Sequence, residues 1–401
     1  MSQPTWSLEK DLEAIRKNFP ILGKGTYLIS NSLGAMPRQA EEALEHYMRL
    51  WREKGVAAWE EEWWDLSRDV AGRVAEIIGA GPEDVTMMPS ATQAHWVVLS
   101  TQFSRKPGKR RRVVATDQDF PSILYGLSRI CEFMGWDLEV VPSRGGFGVD
   151  VQDVLGRTDE QTLFVCTSHV HFRSAFIQDV AQIARKAHEV GALTVIDGYH
   201  APGTLPVDVR ALGVDFYIGG CLKWLCGGPG SAFLYVRPDL RRTLEPGLTG
   251  WLAHPKPFDF SLEMAYTEGS YRFMSGTPPI PSLYTARAGL EAIQKVGISQ
   301  IRKKSLEQTG RIISKARERG FAVHTPQSEE ARGGAVSVEV PHAHRVSSVL
   351  LNRGVWVDFR KGRSGESDVI RVGPHFYTRN EEIESLFAHI DEILEAEDFG
   401  R

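Results

Sequence analysis

The sequence predicts an α/β protein: a large domain on a mostly parallel seven-stranded sheet, then a smaller α+β C-terminal domain. Two observations carry this. Seven short β-type runs alternate with helical stretches between residues 85 and 236, the pattern of strands joined by crossover helices. The last third changes to long helices followed by three further strand-like runs. Length agrees, because 401 residues exceed the ~100–200 residues of one domain.

The elements follow in order. After Pro37, Ala40, Leu44, Tyr47, Met48 and Trp51 recur at helical spacing until Gly55, which reads as a helix. Leu66, Val70, Val74, Ile77 and Ile78 repeat that spacing up to Gly79. Between them, the aromatics of Trp59-Glu-Glu-Glu-Trp-Trp-Asp65 fit either core or a pocket mouth, core being the commoner fate of large rings. The β-type runs are Val85–Met88, Val113–Ala115, Leu138–Val141, Thr162–Thr167, Leu193–Ile196, Phe216–Gly219 and Ala232–Val236. Val180, Ile183, Ala184 and Ala187 mark one of the intervening helices. Helices over 281–296 and 299–320 precede Ala335–Val340, Val355–Phe359 and Val369–Val372, and a closing helix starts near Asn380. No repeat or Pro/Ser linker separates these parts, so close packing is expected. The division expected is residues 1–50 as a segment joining the small domain, 51–278 as the large domain and 279–401 as the small one.

Composition excludes several classes. Hydrophobic residues at 42% and charged residues at 24% belong to a folded soluble protein. With 47 basic against 51 acidic residues, net −4, no overall positive field exists for nucleic acid. The one basic run, Arg105-Lys-Pro-Gly-Lys-Arg-Arg-Arg112, reads as a solvated loop. No stretch approaches the ~18 apolar residues of a membrane span, and Met1-Ser-Gln-Pro-Thr-Trp lacks a signal-peptide pattern. Four cysteines with no CxxC pair suit a reducing compartment, so a cytoplasmic location is expected. His169-Val-His171 places two histidines on one strand face, but no third ligand has matching spacing, so no metal is expected. Neither a P-loop nor a GxGxxG after a strand is present, which leaves no nucleotide fold.

In open α/β sheets, ligands bind beyond the carboxyl ends of the strands. Asp197-Gly-Tyr-His200 follows the run Leu193–Ile196. Lys223 follows Phe216–Gly219, inside Cys221-Leu-Lys-Trp-Leu-Cys-Gly-Gly-Pro-Gly230. A buried lysine between Leu222 and Trp224 loses hydration, which lowers its pKa and frees its amine as nucleophile or base. A snorkelling surface lysine is the plain alternative. An acid and a lysine on neighbouring strand ends suit pyridoxal 5′-phosphate, which needs a Schiff-base lysine and a partner for its ring nitrogen.

These two segments resemble the fold-type I, class V aminotransferase superfamily, and further pieces are similar to kynureninase and its relatives. Tyr27-Leu-Ile-Ser-Asn-Ser-Leu-Gly34 resembles that family's "GNSLG" segment, and Phe120-Pro-Ser122 its "FPSD". Val170-His-Phe172 is similar to "VHF", and Gly250-Trp-Leu-Ala-His254 to "GWFGH". Ser275-Gly-Thr-Pro-Pro-Ile280 and Ile370-Arg-Val-Gly-Pro374 resemble "S-x-PPI" and "IRVAP". They occur in the family's order, so the resemblance spans nearly the whole chain.

The resemblance implies that Lys223 holds the cofactor and shuttles protons, while Asp197 pairs with the pyridinium nitrogen. It implies that Phe120 stacks on the ring, with Ser122 in the same segment and His200 nearby. The phosphate would rest on the backbone of Ala91 and Thr92, where Met88-Pro-Ser90 leads into a helix, with Ser168 close by. Trp251 and Thr277 would complete this site from a neighbouring subunit, implying a homodimer with shared active sites. Arg371 would grip the α-carboxylate of an amino-acid substrate, with Asn31 lining the entrance. The implied activity is hydrolysis at Cβ–Cγ, by retro-Claisen cleavage of a hydrated γ-carbonyl that leaves alanine.

Departures from the pattern qualify that activity. The family's tyrosine before the lysine is Leu222 here and its preceding serine is Cys221; "FPSD" ends in Ile123, and "HFYTG" reads His171-Phe-Arg-Ser-Ala175. Losing two polar groups beside the cofactor, at Leu222 and Ile123, predicts slow or absent hydrolysis of kynurenine itself, unless His200, Tyr199 or Arg173 has taken the tyrosine's role. The alternatives are another class V activity: aminotransferase, β-eliminating lyase or isopenicillin-type epimerase. A cysteine desulfurase fits less well, because Arg360-Lys-Gly-Arg-Ser-Gly-Glu366 has no cysteine. A pyridoxal-binding regulator would carry a DNA-binding domain, and only about 30 residues precede the first motif.

Overall fold

Period-two alternation in the seven β-type runs sends successive side chains to opposite faces of one sheet, and both faces are covered. The protein is described by a computed structural model covering residues 5–103, 110–145, 147–363 and 366–396. The strands are β1 (Val85–Met88), β2 (Arg112–Thr116), β3 (Asp137–Val141), β4 (Thr162–Ser168), β5 (Leu193–Asp197), β6 (Phe216–Gly220) and β7 (Ala232–Val236). Their spatial order is β1-β7-β6-β5-β4-β2-β3. Only β7 opposes its neighbours; the others run the same way.

Alternation divides the core in two. Ile196, Tyr217, Phe233 and Tyr235 face helix Trp64–Ile78 and helix Ile280–Val296, against Val70, Val74 and Leu283. Val195, Phe216, Ile218 and Leu234 face the other way, towards Val98 of helix Ala91–Leu99 and Leu127 of helix Pro121–Met134. Each of these side chains contributes roughly 1.5–3 kcal/mol by leaving water. Helix Trp64–Ile78 stops at Gly79, whose φ of +71° is the left-handed conformation that costs glycine least.

A buried aspartate aligns the two strands that matter for the site. Asp215 accepts from the Thr194 backbone N–H (2.7 Å) and Oγ1 (3.0 Å), while its own N–H donates to Thr194 Oγ1. Arg237 compensates its charge at 2.8 Å. This ties the start of β5 to the start of β6, so their carboxyl ends emerge together, with Asp197 opposite Ile218.

The C-terminal part carries a four-stranded antiparallel sheet, ordered Asp358–Arg360, Val369–Val372, Val336–Glu339 and Ala322–Val323. Helices Ile298–Glu318, Ala343–Asn352 and Asn380–Ala396 pack on it through Ile312, Leu350 and Ile390. The run expected as Val355–Phe359 is split: Val355–Trp356 pairs in parallel with Thr26–Tyr27, while Asp358 begins the next strand. Thus residues 26–29 reach the C-terminal part of the chain, and an Ile29–Gly373 bridge extends the contact. Helix Ile280–Val296 instead lies along Arg38–Lys54 and Trp64–Ile78.

Trp63 is buried core, with Trp59 and Trp64 stacked beside it at 4.4 Å. In the basic run, residues 105–109 fall outside the described residues; Arg111 and Arg112 pair with Asp137 and Asp159. Among the described residues, no helix is long and apolar enough to cross a membrane.

Candidate active site

The carboxyl ends of β4, β5 and β6 open onto a cavity of about 270 Å³. Of the residues singled out in the sequence, Ala91, Thr92, Phe120, Ser122, Ser168, Asp197, His200 and Lys223 line it, and Ile123, Tyr199 and Leu222 join them.

Lys223 sits in a turn closed by its own backbone. The Cys226 N–H donates to the Lys223 carbonyl (3.1 Å), and Gly227 N–H to the Cys221 carbonyl (2.7 Å). The Lys223 Nζ lies 2.7 Å from His200 Nε2, 4.6 Å from the Tyr199 ring centre and 5.8 Å from that of Phe120. Burial, then the positive charge of Arg371, pushes the amine down to about 7. Burial and the Lys223 charge push His200 well down too, so its ring is neutral at pH 7.

An ordinary lysine is almost wholly protonated at pH 7, since its pKa lies near ~10.4. Here the neutral amine that attacks an aldehyde is already abundant. Reaction of the cofactor-free protein with pyridoxal phosphate is therefore expected to rise with pH through a midpoint near 7, then level off. Arg371→Met removes a neighbouring cation and should move that midpoint upward. A rate still climbing towards pH 10 in the unmodified protein would show a solvated lysine instead.

Asp197 ends β5 buried, and its Oδ1 accepts from the Tyr199 N–H at 2.8 Å. On the opposite flank, Ser90 caps helix Ala91–Leu99 by accepting from the Gln93 N–H at 3.2 Å. The N–H groups of Ala91 and Thr92 open the helix and have no carbonyl one turn back, which is what an anion requires. Phe120 is 43% exposed and meets Phe172 edge-on at 5.4 Å.

Ser168 lines the cavity, but its hydroxyl is committed. Both its N–H (2.7 Å) and Oγ (2.8 Å) donate to Asp119 Oδ1. Asp119 also accepts from Thr116, and burial pushes its carboxyl up to about 6. Sequence reading missed Asp119; its position immediately before Phe120 was the available signal.

Four residues lie off the lining. Arg371 is buried; its guanidinium donates to Asp358 and to the Phe172 carbonyl, and burial lowers its pKa to about 10. Among the described residues, its Nε has no hydrogen-bond partner. Asn31 is fully buried and donates to the same Asp358 at 3.3 Å. Trp251 packs against Trp64 (6.0 Å) and Phe258 (5.6 Å), and Thr277 is exposed. Asp358, the residue joining Arg371 to Asn31, went unread in the sequence. His169 bonds Tyr217 at 2.8 Å, whereas His171 packs on Phe176, so the two do not share a site.

The donor set fits pyridoxal phosphate: a near-neutral lysine, a buried acid, a helix N-terminus for the phosphate and an aromatic wall. The comparisons agree. The chain is 31% identical to the kynureninase of Geobacillus thermodenitrificans, over 98% of this chain and 94% of that one. It is equally similar, at 31%, to the aminotransferase YcbU of Bacillus subtilis, over 95% and 97%. Among solved structures it superposes on a cysteine desulfurase from Thermococcus onnurineus (TM-score 0.85, 24% identity, covering 96% and 98%). It also superposes on the lyase C-DES carrying glycine on its PLP cofactor (TM-score 0.84, 22% identity, covering 96% and 99%). With the class-V aminotransferase family model matching residues 26–386, the chain belongs to that family of pyridoxal-phosphate enzymes.

Proposed function

We propose that this enzyme is a kynureninase-type hydrolase, cleaving the Cβ–Cγ bond of an amino acid that bears a γ-carbonyl. The observation carrying it is the 31% identity to a kynureninase over 98% of the chain, joined to a cavity with Lys223, Asp197 and His200 together. Bound, the cofactor supplies an electron sink for the substrate's Cα.

The chain's own residues do the rest. Lys223, with a pKa near 7, takes and returns the α-proton, since such a base works best near the ambient pH. Neutral His200 holds that amine at 2.7 Å. Asp197 would pair with the cofactor's ring nitrogen, Phe120 would supply the aromatic wall, and the N–H groups of Ala91 and Thr92 would hold the phosphate. Arg371, off the cavity lining but with its Nε unbonded among the described residues, is the group that would receive the substrate carboxylate, and Asn31 donates to the same Asp358 at 3.3 Å. Trp251 and Thr277 act from a second copy of the chain in a homodimer. Four free buried cysteines suit a reducing compartment such as the cytoplasm.

The equal similarity to YcbU supports a second reading, transfer of the amino group to a keto acid. The test is a turnover screen with L-kynurenine, 3-hydroxykynurenine, cysteine and common keto-acid acceptors, with products identified by mass. Alanine and an aromatic acid in equal amounts support the hydrolase. A new amino acid made from the keto acid, with no alanine released, overturns it in favour of the transferase.

A further inference from the structure

Leu222 lines the cavity where the kynureninase pattern has a tyrosine, and leucine has neither a donor nor a proton to offer. Three nearby groups are candidates for the missing function. Two are engaged. His200 Nε2 is held by Lys223 at 2.7 Å. Arg173 is 4% exposed, pairs with Glu366 at 2.9 Å, and is not part of the cavity lining.

Tyr199 differs. It lines the cavity, its ring centre lies 4.6 Å from Lys223 Nζ, and its backbone N–H is fixed on Asp197 at 2.8 Å. Among the described residues, its hydroxyl makes no hydrogen bond. Room for the ring comes from the neighbouring strand. A Cβ at Gly220 would lie 2.3 Å from both Tyr199 Cζ and its hydroxyl oxygen, so only glycine admits the ring there. We infer that Tyr199 is a cofactor-contacting residue, returning from the end of β5 the hydroxyl that Leu222 lacks. This rests on the cofactor reading of the cavity. Burial raises the phenol's pKa further, so the group stays a neutral donor across the working range.

The test reads cofactor affinity rather than turnover. Holo-protein is stripped by dialysis and titrated with pyridoxal phosphate while absorbance is followed. Tyr199→Phe keeps the ring and removes one donor, so the dissociation constant should rise about three- to tenfold, the range of one hydrogen bond. Adding Leu222→Tyr to that variant should bring the constant back to within threefold of the unmodified protein. An unchanged constant in Tyr199→Phe, or no recovery in the double variant, overturns the inference. Leu222→Tyr alone keeps the read-out available if Tyr199→Phe does not fold. With the place already filled, it should tighten binding less than threefold, and a larger gain overturns the inference. If the unmodified protein forms no adduct at Lys223, the cofactor reading itself fails; if it does and these constants do not move, only the role of Tyr199 falls.

Discussion

Lys223→Ala is expected to lose the borohydride-trapped cofactor adduct entirely and, with it, essentially all turnover. The size of the effect follows from the geometry. Nζ lies among His200, Tyr199 and Phe120 at 2.7, 4.6 and 5.8 Å, and its pKa of about 7 supplies the neutral nucleophile that solvated lysines lack. Among the described residues, no other lysine lines this cavity, so none of them offers a substitute amine. Peptide mass mapping after reduction checks the result, and an adduct surviving on a different lysine would remove Lys223 from its role. Folding should be preserved, because the turn that carries the residue is closed by backbone bonds from Cys226 and Gly227.

Asp197→Asn is expected to keep that adduct and to slow turnover by about a hundred- to a thousandfold. The amide oxygen still accepts the Tyr199 N–H that Asp197 accepts at 2.8 Å, so the turn at the end of β5 survives. What would disappear is the negative charge proposed to lie beside the ring nitrogen, whose pKa would then fall until the ring is neutral at pH 7. Removing a preorganised charge partner of this kind typically costs ~3–4 kcal/mol. Steady-state rates, with cofactor content measured alongside, check it. Turnover close to that of the unmodified enzyme would show that another group holds the ring nitrogen.

Much of the site was legible because it is local in the chain. Asp197 follows one hydrophobic run, and Lys223 follows the next one, so both had to leave the sheet at the same edge. Ser90 before a helical period likewise announced a helix N-terminus. Asp119 and Asp358 were not legible. Their importance lies in partners far away, Ser168 for the first and Arg371 and Asn31 for the second, and no spacing rule connects such pairs.

The same division runs through the whole molecule. Apolar runs and helical spacing are properties of neighbouring residues, so the sequence alone marked the seven strands of the large sheet, down to Ala232–Val236. That this strand opposes its neighbours was decided by packing over the full sheet. So was the joining of Thr26–Tyr27 to Val355–Trp356, which split a run that looked continuous. Tyr199 shows the reason most plainly. Its sequence position places it near Asp197, but its hydroxyl is left unbonded above Gly220 only because a separate strand carries no side chain there. Such close approaches depend on residues brought together by the core, and only the folded chain contains them.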